Sequence, residues 1–543
     1  MPLQIGKMLV ENKLISEEEL SLCVDIQKIN AKDRIGAILR HFNFIDDLKI
    51  AEMISEQVGW PLYKGEYVPN LEVLKKVDIE FLTEHQIYPL KEGNTPIFVL
   101  AFIDDVDVTD VIRAHQEFEN ALFRVGVESE IRNALDLVIL EENRKKMGSK
   151  LIEIDSEKGF DFLTGWMDNI INLAIMHRST DIHIEPSHKA TEIRFRTDGI
   201  LVFACCVKKD LINPISNIIL ARCQSNPSEF NKIHDGRFEH SYLNRIVDIR
   251  FSQIPTMHGP SIVLRLLDKA RASFSLKNLG YSEYSWALIN QAIRAPYGII
   301  LVTGPTGCGK STTLYSMLNY LKTIEKKILT IEDPVEMTHS LITQVQVNPK
   351  QDITFSNAIR GFLRHDPDVI LVGEIRDAET AQESVRAAIT GHQIFSTMHT
   401  NDNISALLRL MDLGVDGTNI SSSLVAVISQ RLVRKLCKYC KSPIRIFRDK
   451  CDVIERKYIN EESKVIYKAC GCPKCINGYW GRTVIAEVLL IDEEIKKLIG
   501  KNDIGGIFTV LKERKNYKTM MDNANELLKD GVTSLDEIIR ILG

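Results

Sequence analysis

The stretch Leu301–Leu318, LVTGPTGCGKSTTLYSML, runs from apolar residues into a glycine loop and leaves on a helical pattern. The loop reads G-x-x-x-x-G-K-[ST], a spacing that turns backbone N–H groups inward to cradle phosphate. Gly304, Gly307 and Gly309 free the backbone for that turn. Lys310 adds a point charge for the β- and γ-phosphates, and Ser311 offers a hydroxyl to Mg²⁺. The N-terminus of the next helix favours an anion in the same place. Gly304, Pro305, Thr306, Gly307, Cys308, Gly309, Lys310, Ser311 and Thr312 are therefore expected to hold a nucleoside triphosphate.

Hydrolysis of such a ligand needs a metal partner and a group that orients or deprotonates water. Three later segments end apolar runs with suitable side chains. ILTIEDPVE (Ile328–Glu336) discharges into Glu332, Asp333 and Glu336, and DPDVILVGEIRD (Asp366–Asp377) carries Glu374. TGHQIFSTMHT (Thr390–Thr400) flanks a short strand with His392 and His399, which can sense a γ-phosphate or relay a neighbouring site. A lone carboxylate of this kind is usually a solvated loop residue. Together, after the phosphate loop and in this order, they point to nucleotide chemistry.

Cys437-x-x-Cys440 and Cys472-x-x-Cys475 are separated by 31 residues. Two such pairs can place four thiolates tetrahedrally around Zn²⁺, although a redox pair also uses CxxC spacing. Cys470 lies close by but lacks that spacing. Cys308 reads as a small residue in a tight turn, and Cys23, Cys205, Cys206, Cys223 and Cys451 as core or incidental positions.

The elements that must hold these groups can be read along the chain. With 543 residues, 44% hydrophobic and 26% charged, the composition is that of a soluble globular protein of several domains. A formal charge of −5 argues against a protein that coats nucleic acid. No apolar run reaches the roughly 20 residues of a membrane span, and the N-terminus has no signal-peptide pattern. Gln4–Gln27 aligns without gaps on Arg34–Gln57, each copy reading as two short helices, the second opened by Ser16 or Asp46. Mixed pattern follows to about Leu135, then a charged linker, Glu141–Lys150.

From Ile152 the strands TDIHIEP, TEIRFRTDGILVF and RIVDIRFSQIP alternate, with Ile193 and Phe195 opposing Arg194 and Arg196. From Leu279 to Lys435, apolar strands alternate with helices, which predicts a parallel sheet covered on both faces. The expected domains are 1–145 (tandem repeat 4–57), 152–278, 279–435, a tetracysteine segment 436–482 and a helical region 483–543.

These segments make the chain resemble the secretion ATPases of type II secretion, type IV pilus assembly and competence pseudopilus systems. GPTGCGKST is similar to that family's Walker A box, IEDPVE to its Asp box, ILVGEIRD to its Walker B strand and TGHQIFSTMHTN to its His box. The resemblance implies an α/β fold with a RecA-like P-loop core. Before the core it implies a sheet-containing subdomain and a small, mostly helical N-terminal domain. It implies ATP and Mg²⁺, with Glu336 as the catalytic carboxylate, Glu374 as the Walker B acid, His399 at the site, and Zn²⁺ on Cys437, Cys440, Cys472 and Cys475.

The resemblance further implies a homohexamer in which the second domain brings arginines to the phosphates. Arg194 and Arg196 match IRFRxDG, and Arg237 and Arg250 match neighbouring motif positions. His258-Gly259-Pro260 and the start of NKIHDGR depart from the pattern. A cytoplasmic motor attached peripherally to the inner membrane is expected, working with a platform protein and a membrane-anchored docking protein and not directly with nucleic acid. The tetracysteine segment and long N-terminal region favour assembly over retraction. A DNA-translocating ATPase and a second-messenger-regulated switch are the other readings.

The repeat also resembles a tandem cyclic-di-GMP module whose motif opens Arg-Leu-Gly and has a later Gly. The first copy has Gln4-Ile5-Gly6 and Lys13, the second Arg34-Ile35-Gly36 and Asn43. Loss of the first guanidinium, and of the backbone geometry at Lys13, predicts that binding is absent or weak and that the module docks the motor.

Overall fold

A computed structural model describes the chain except for residues 1, 30–33, 43, 75, 94, 102–107, 115, 133, 136–137, 139–158, 226–231, 243–244, 269–275, 460–462 and 515. The expected linker Glu141–Lys150 lies outside the described residues. The chain divides into two compact units, 1–271 and 272–543.

The first unit opens with helices Pro2–Glu11, Glu17–Ile29, Ile35–His41 and Asp47–Val58. Ser16 and Asp46 cap the second helix of each repeat copy. Ser16 Oγ accepts the Glu19 N–H at 3.1 Å while Glu19 Oε2 accepts the Ser16 N–H at 2.7 Å, and Asp46 accepts the Lys49 N–H at 2.8 Å. Of the two repeated glycines, Gly6 is the one whose missing side chain lets its helix approach the next, while Gly36 has room for a Cβ. A Cβ on Gly6 would lie 2.5 Å from Leu20, and one on Gly36 would lie 3.7 Å from Ile50. One sequence expectation is corrected. Lys13 holds the left-handed backbone expected of glycine, at φ 56°, so the substitution keeps the geometry. Asn43 lies outside the described residues.

A three-stranded sheet follows, β1 (Ile87–Leu90), β2 (Ile97–Leu100) and β3 (Leu122–Val125), with β1–β2 antiparallel and β2–β3 parallel. The larger sheet of this unit comprises β4 (Ser179–Pro186), β5 (Ala190–Thr197), β6 (Ile200–Lys208), β7 (His234–Tyr242), β8 (Arg245–Thr256) and β9 (Gly259–Leu267). Its order is β6-β5-β4-β9-β8-β7, antiparallel throughout. Alternation sends Ile193, Phe195, Ile249 and Phe251 into a core with helices Gly159–Met176 and Ile212–Arg222, and leaves the arginines on the other face.

The second unit is built on β10 (Gly298–Thr303), β11 (Ile328–Glu332), β12 (Ile342–Gln346), β13 (Val369–Val372), β14 (Gln393–Met398) and β15 (Leu424–Leu436). After a small hairpin of β16 (Ser442–Phe447) and β17 (Ser463–Lys468), β18 (Tyr479–Leu490) closes the sheet. The order is β12-β11-β13-β14-β10-β15-β18, parallel except for β18, which runs antiparallel along β15. Every residue of β10 and β14 is buried, as a sheet covered on both faces requires.

Leu301, Ile331 and Ile370 pack with helices Ala378–Ile389 and Asn403–Asp412. On the other face, Ile300, Val302 and Leu371 pack with Glu283–Ile293 and Lys310–Leu321. The region 483–543, read from sequence as helical, begins inside β18. Its Val484, Ile485, Val488 and Leu489 are buried, and among the described residues four helices follow.

Candidate active site

The parallel strands bring their C-terminal ends to one edge. Thr303 pairs with Met398 and Ser429, and Ile331 pairs with Val372. The phosphate loop leaves β10 there, and Gly304, Gly307 and Gly309 have φ of 145°, 79° and 88°. At Gly304 a side chain is also barred by space, since a Cβ would lie 2.6 Å from both Cys308 Sγ and the Gln430 carbonyl. Gly309 caps helix Lys310–Leu321, whose first N–H groups face the loop.

Lys310 Nζ donates to the carbonyls of Gly304 at 2.8 Å and Pro305 at 3.1 Å. Burial holds its pKa below the ordinary value, an effect that the nearby Glu374 carboxylate opposes. The Ser311 side chain is exposed and available to a metal. Cys308 is buried, and burial pushes its thiol above the ordinary range, as befits a packed turn residue.

Glu374 follows β13 and His399 follows β14, and the structure brings them together. Glu374 Oε2 lies 3.5 Å from His399 Nε2, while Oε1 lies 2.5 Å from Arg376 Nη2. Glu374 is buried and His399 half-exposed. His392 belongs elsewhere. It precedes β14, at the opposite edge of the sheet, and its Nδ1 lies 3.0 Å from the Ala387 carbonyl at the end of a helix. Glu336 sits half-exposed on the connection after β11.

At the start of that connection, Glu332, one of the carboxylates expected from the sequence, is the centre of a buried hydrogen-bonded hub. The Glu332 carboxylate is buried and accepts from Tyr315 Oη, Thr330 Oγ1 at 2.5 Å and Gln344 Nε2 at 3.0 Å. Gln430 and Arg431 carry no signal in the sequence that marks them as site residues. Gln430 Nε2 donates to the Cys308 carbonyl at 2.8 Å, and its Oε1 accepts from Tyr281 at 2.6 Å and Thr313 at 3.0 Å. Arg431 Nη2 donates to the Asn401 carbonyl at 3.0 Å, tying the His399 loop to β15.

In the first unit, strand register lines up Arg237, Arg250, Arg265, Asp181 and Arg196 across β7, β8, β9, β4 and β5. Arg265 Nε lies 3.1 Å from Asp181 and Arg196 Nε lies 3.9 Å from it, whereas Arg194 Nε pairs with Glu185 at 3.0 Å. Four cations thus share one row with a single carboxylate. Arg237, Arg250 and Arg265 line a cavity of about 510 Å³.

The thiols of Cys437, Cys440, Cys472 and Cys475 lie within 4.8 Å of one another. Cys437–Cys472 and Cys440–Cys475 are 3.8 Å apart and Cys472–Cys475 3.6 Å. A zinc ion with ~2.3 Å bonds to four sulfurs sets tetrahedral edges of ~3.8 Å, so the donor set fits the metal in number, type and spacing. Cys470 stands apart, its thiol exposed and 3.2 Å from Ser442 Oγ.

A phosphate loop on a parallel sheet, with carboxylates ending the strands beside it, defines a nucleotide-dependent RecA-like core. The model of the "Type II/IV secretion system protein" family matches residues 156–540, and that of the MshEN domain matches 63–142. The chain belongs to the type II/IV secretion system protein family.

It is 42% identical to the type II secretion system ATPase E of Vibrio cholerae, over 68% of this chain and 73% of that protein. It is 33% identical to the type IV pilus assembly ATPase PilB of Acinetobacter baylyi, over 98% and 96%. The fold matches that of the Legionella pneumophila ATPase DotB with a TM-score of 0.55, at 20% identity, over 71% of this chain and 96% of that one. Among the described residues no helix is long and apolar enough to cross a membrane.

Proposed function

We propose that the protein is an ATPase that drives assembly of a type II secretion pseudopilus or a type IV pilus. The observation that carries this reading is the convergence of Lys310, Glu374 and His399 at one sheet edge, in a chain alignable over nearly its whole length with a pilus assembly ATPase. Residues Gly304–Thr312 hold the triphosphate, with Lys310 leaving its loop carbonyls to neutralise phosphate charge. Ser311 and Glu374 would hold Mg²⁺, which when bound screens the phosphates and orients the terminal one. Glu336 accepts the proton of the attacking water, and His399 reads the terminal phosphate through its contact with Glu374. Arg194 and Arg196 contribute positive charge to turnover.

The working form in this reading is a homohexamer, cytoplasmic and attached peripherally to the inner membrane, gripped by a platform protein and a membrane-anchored docking protein. No direct contact with nucleic acid belongs to it. Residues 1–145 serve as the docking module and bind cyclic-di-GMP weakly or not at all, since Gln4 stands where the first copy needs a guanidinium. The domains 152–278, 279–435, 436–482 and 483–543 complete the motor. Lys310→Ala should impair ATP binding, and Glu336→Gln should bind ATP yet turn it over at least tenfold more slowly. Wild-type hydrolysis by purified Glu336→Gln would overturn the reading.

A further inference from the structure

Glu336 lies on the connection 333–341, between β11 and the edge strand β12. A carboxylate meant to meet a water beside a phosphate has to be held, because a displacement of about 1 Å costs about 10²-fold in rate. An exposed connection does not hold itself. Period-two alternation puts Gln344 and Gln346 on the same face of β12, and both side chains reach that connection.

Gln346 Oε1 accepts the Val335 N–H at 3.3 Å. Gln344 Nε2 donates to the Met337 carbonyl at 2.8 Å, and Gln344 Oε1 accepts the His339 N–H at 2.8 Å. The backbone on both sides of Glu336 is therefore pinned by one strand. Gln344 Nε2 also donates to Glu332, which accepts from Tyr315 on the helix that Lys310 begins. The Tyr315 ring packs on His339 at 4.7 Å, adding a second tie.

We propose that Gln344, supported by Gln346, is a positioning residue that holds Glu336 in register with the phosphate loop. The inference rests on the reading of Glu336 as the group that takes the proton from water. An amide suits the role because it carries an NH₂ donor and a C=O acceptor side by side, so one side chain can donate to Met337 and accept from His339. Glutamate at 344 would accept from His339 but could not donate to Met337, and it would set a second carboxylate against Glu332.

The test compares the full-length protein with Gln344→Ala, Gln344→Glu and Gln346→Leu, each alone and combined with Glu336→Gln. Steady-state ATP turnover, affinity for a fluorescent ATP analogue and melting temperature are measured. Gln344→Ala and Gln344→Glu should lower kcat about 10- to 100-fold and Gln346→Leu less, with nucleotide affinity within about threefold. Added to Glu336→Gln, none should slow turnover further, because they act through the residue already removed.

Wild-type turnover by the Gln344 variants overturns the proposal, and so does a loss that multiplies that of Glu336→Gln. Should Gln344→Ala not fold, the isosteric Gln344→Glu decides on the same measurements. Wild-type turnover by Glu336→Gln alone would instead bring down the function reading.

Discussion

At the scale of single residues, the arginine row carries the clearest cost. Like charges directly opposite one another across a sheet destabilise it, and Arg237–Arg250 and Arg250–Arg265 are such pairs. A fold with no use for that charge has little reason to keep it. Arg196 ends that row opposite Asp181, and Arg194 stands beside it on the same face. Arg196→Ala and Arg194→Ala are expected to lower ATPase activity while moving the melting temperature by no more than about 2 °C, since neither side chain enters the core. Calorimetry beside a phosphate-release assay checks both halves. A large stability loss with unchanged activity would return them to a structural role. Alternation in EIRFR revealed which face these side chains take. It could not reveal Arg265, because membership of the row depends on the pairing of strands distant in sequence.

The elements differ in how openly the sequence announces them. β10, β11, β13 and β14 are short apolar runs between helical segments, so a parallel sheet was legible. β12 was not, because ITQVQ is an edge strand carrying two glutamines. β15 was hidden by Ser429, Gln430, Arg431 and Arg434, whose polarity serves contacts made far along the chain. Gln430 and the Cys308 carbonyl it holds are 122 positions apart.

Arg434 ties β15 to the last helix, Leu535–Leu542. Its Nη2 lies 2.7 Å from the fully buried Glu537 carboxylate, which Arg540 also reaches at 2.5 Å. Burial alone would raise the Glu537 pKa, but hydrogen bonds from Arg540 and Arg434 outweigh it and hold the carboxyl below its ordinary 4.5. Because the folded value lies below the unfolded one, this stabilisation is present above about pH 4.5 and lost as pH falls through the folded pKa. Glu537→Gln should destabilise the protein by about 3–5 kcal/mol at pH 7, and by less as the pH is lowered below 4.5 and through the folded pKa, measured by urea melts across that range. A loss that stays constant down to acid unfolding would rule out the charge as the cause.

The cysteine pairs join the ends of β15 and β18 and enclose the β16–β17 hairpin. Elemental analysis of Cys437→Ser/Cys472→Ser should show one zinc per chain lost. Unchanged zinc content would sink the metal assignment.

For the whole molecule, the N-terminal module poses the regulatory question. Its repeat was legible as two helix pairs because Gly, Leu, Ile and Gln recur at a spacing of 30. Lys13 shows the limit of that reading, since a residue type disfavoured in the left-handed region occupies it nonetheless. What distinguishes the first copy is therefore its missing guanidinium at position 4. Calorimetric titration of the full-length protein with cyclic-di-GMP should give no heat, or a dissociation constant well above micromolar. Sub-micromolar binding would make the motor a second-messenger-regulated one.

The strand β15 runs from Gln430, which holds the Cys308 carbonyl of the phosphate loop, to Leu436, one residue before Cys437, with its pairing to β18 shifting between Arg434 and Leu436. At ~3.3 Å per residue the seven steps from Gln430 to Cys437 span ~23 Å. β18 is laddered to most of that length, so one strand pair links the phosphate loop to the four-thiol cluster at its far end. The four thiols and the turn that wraps the phosphates therefore lie along one strand, with no loop between Gln430 and Leu436.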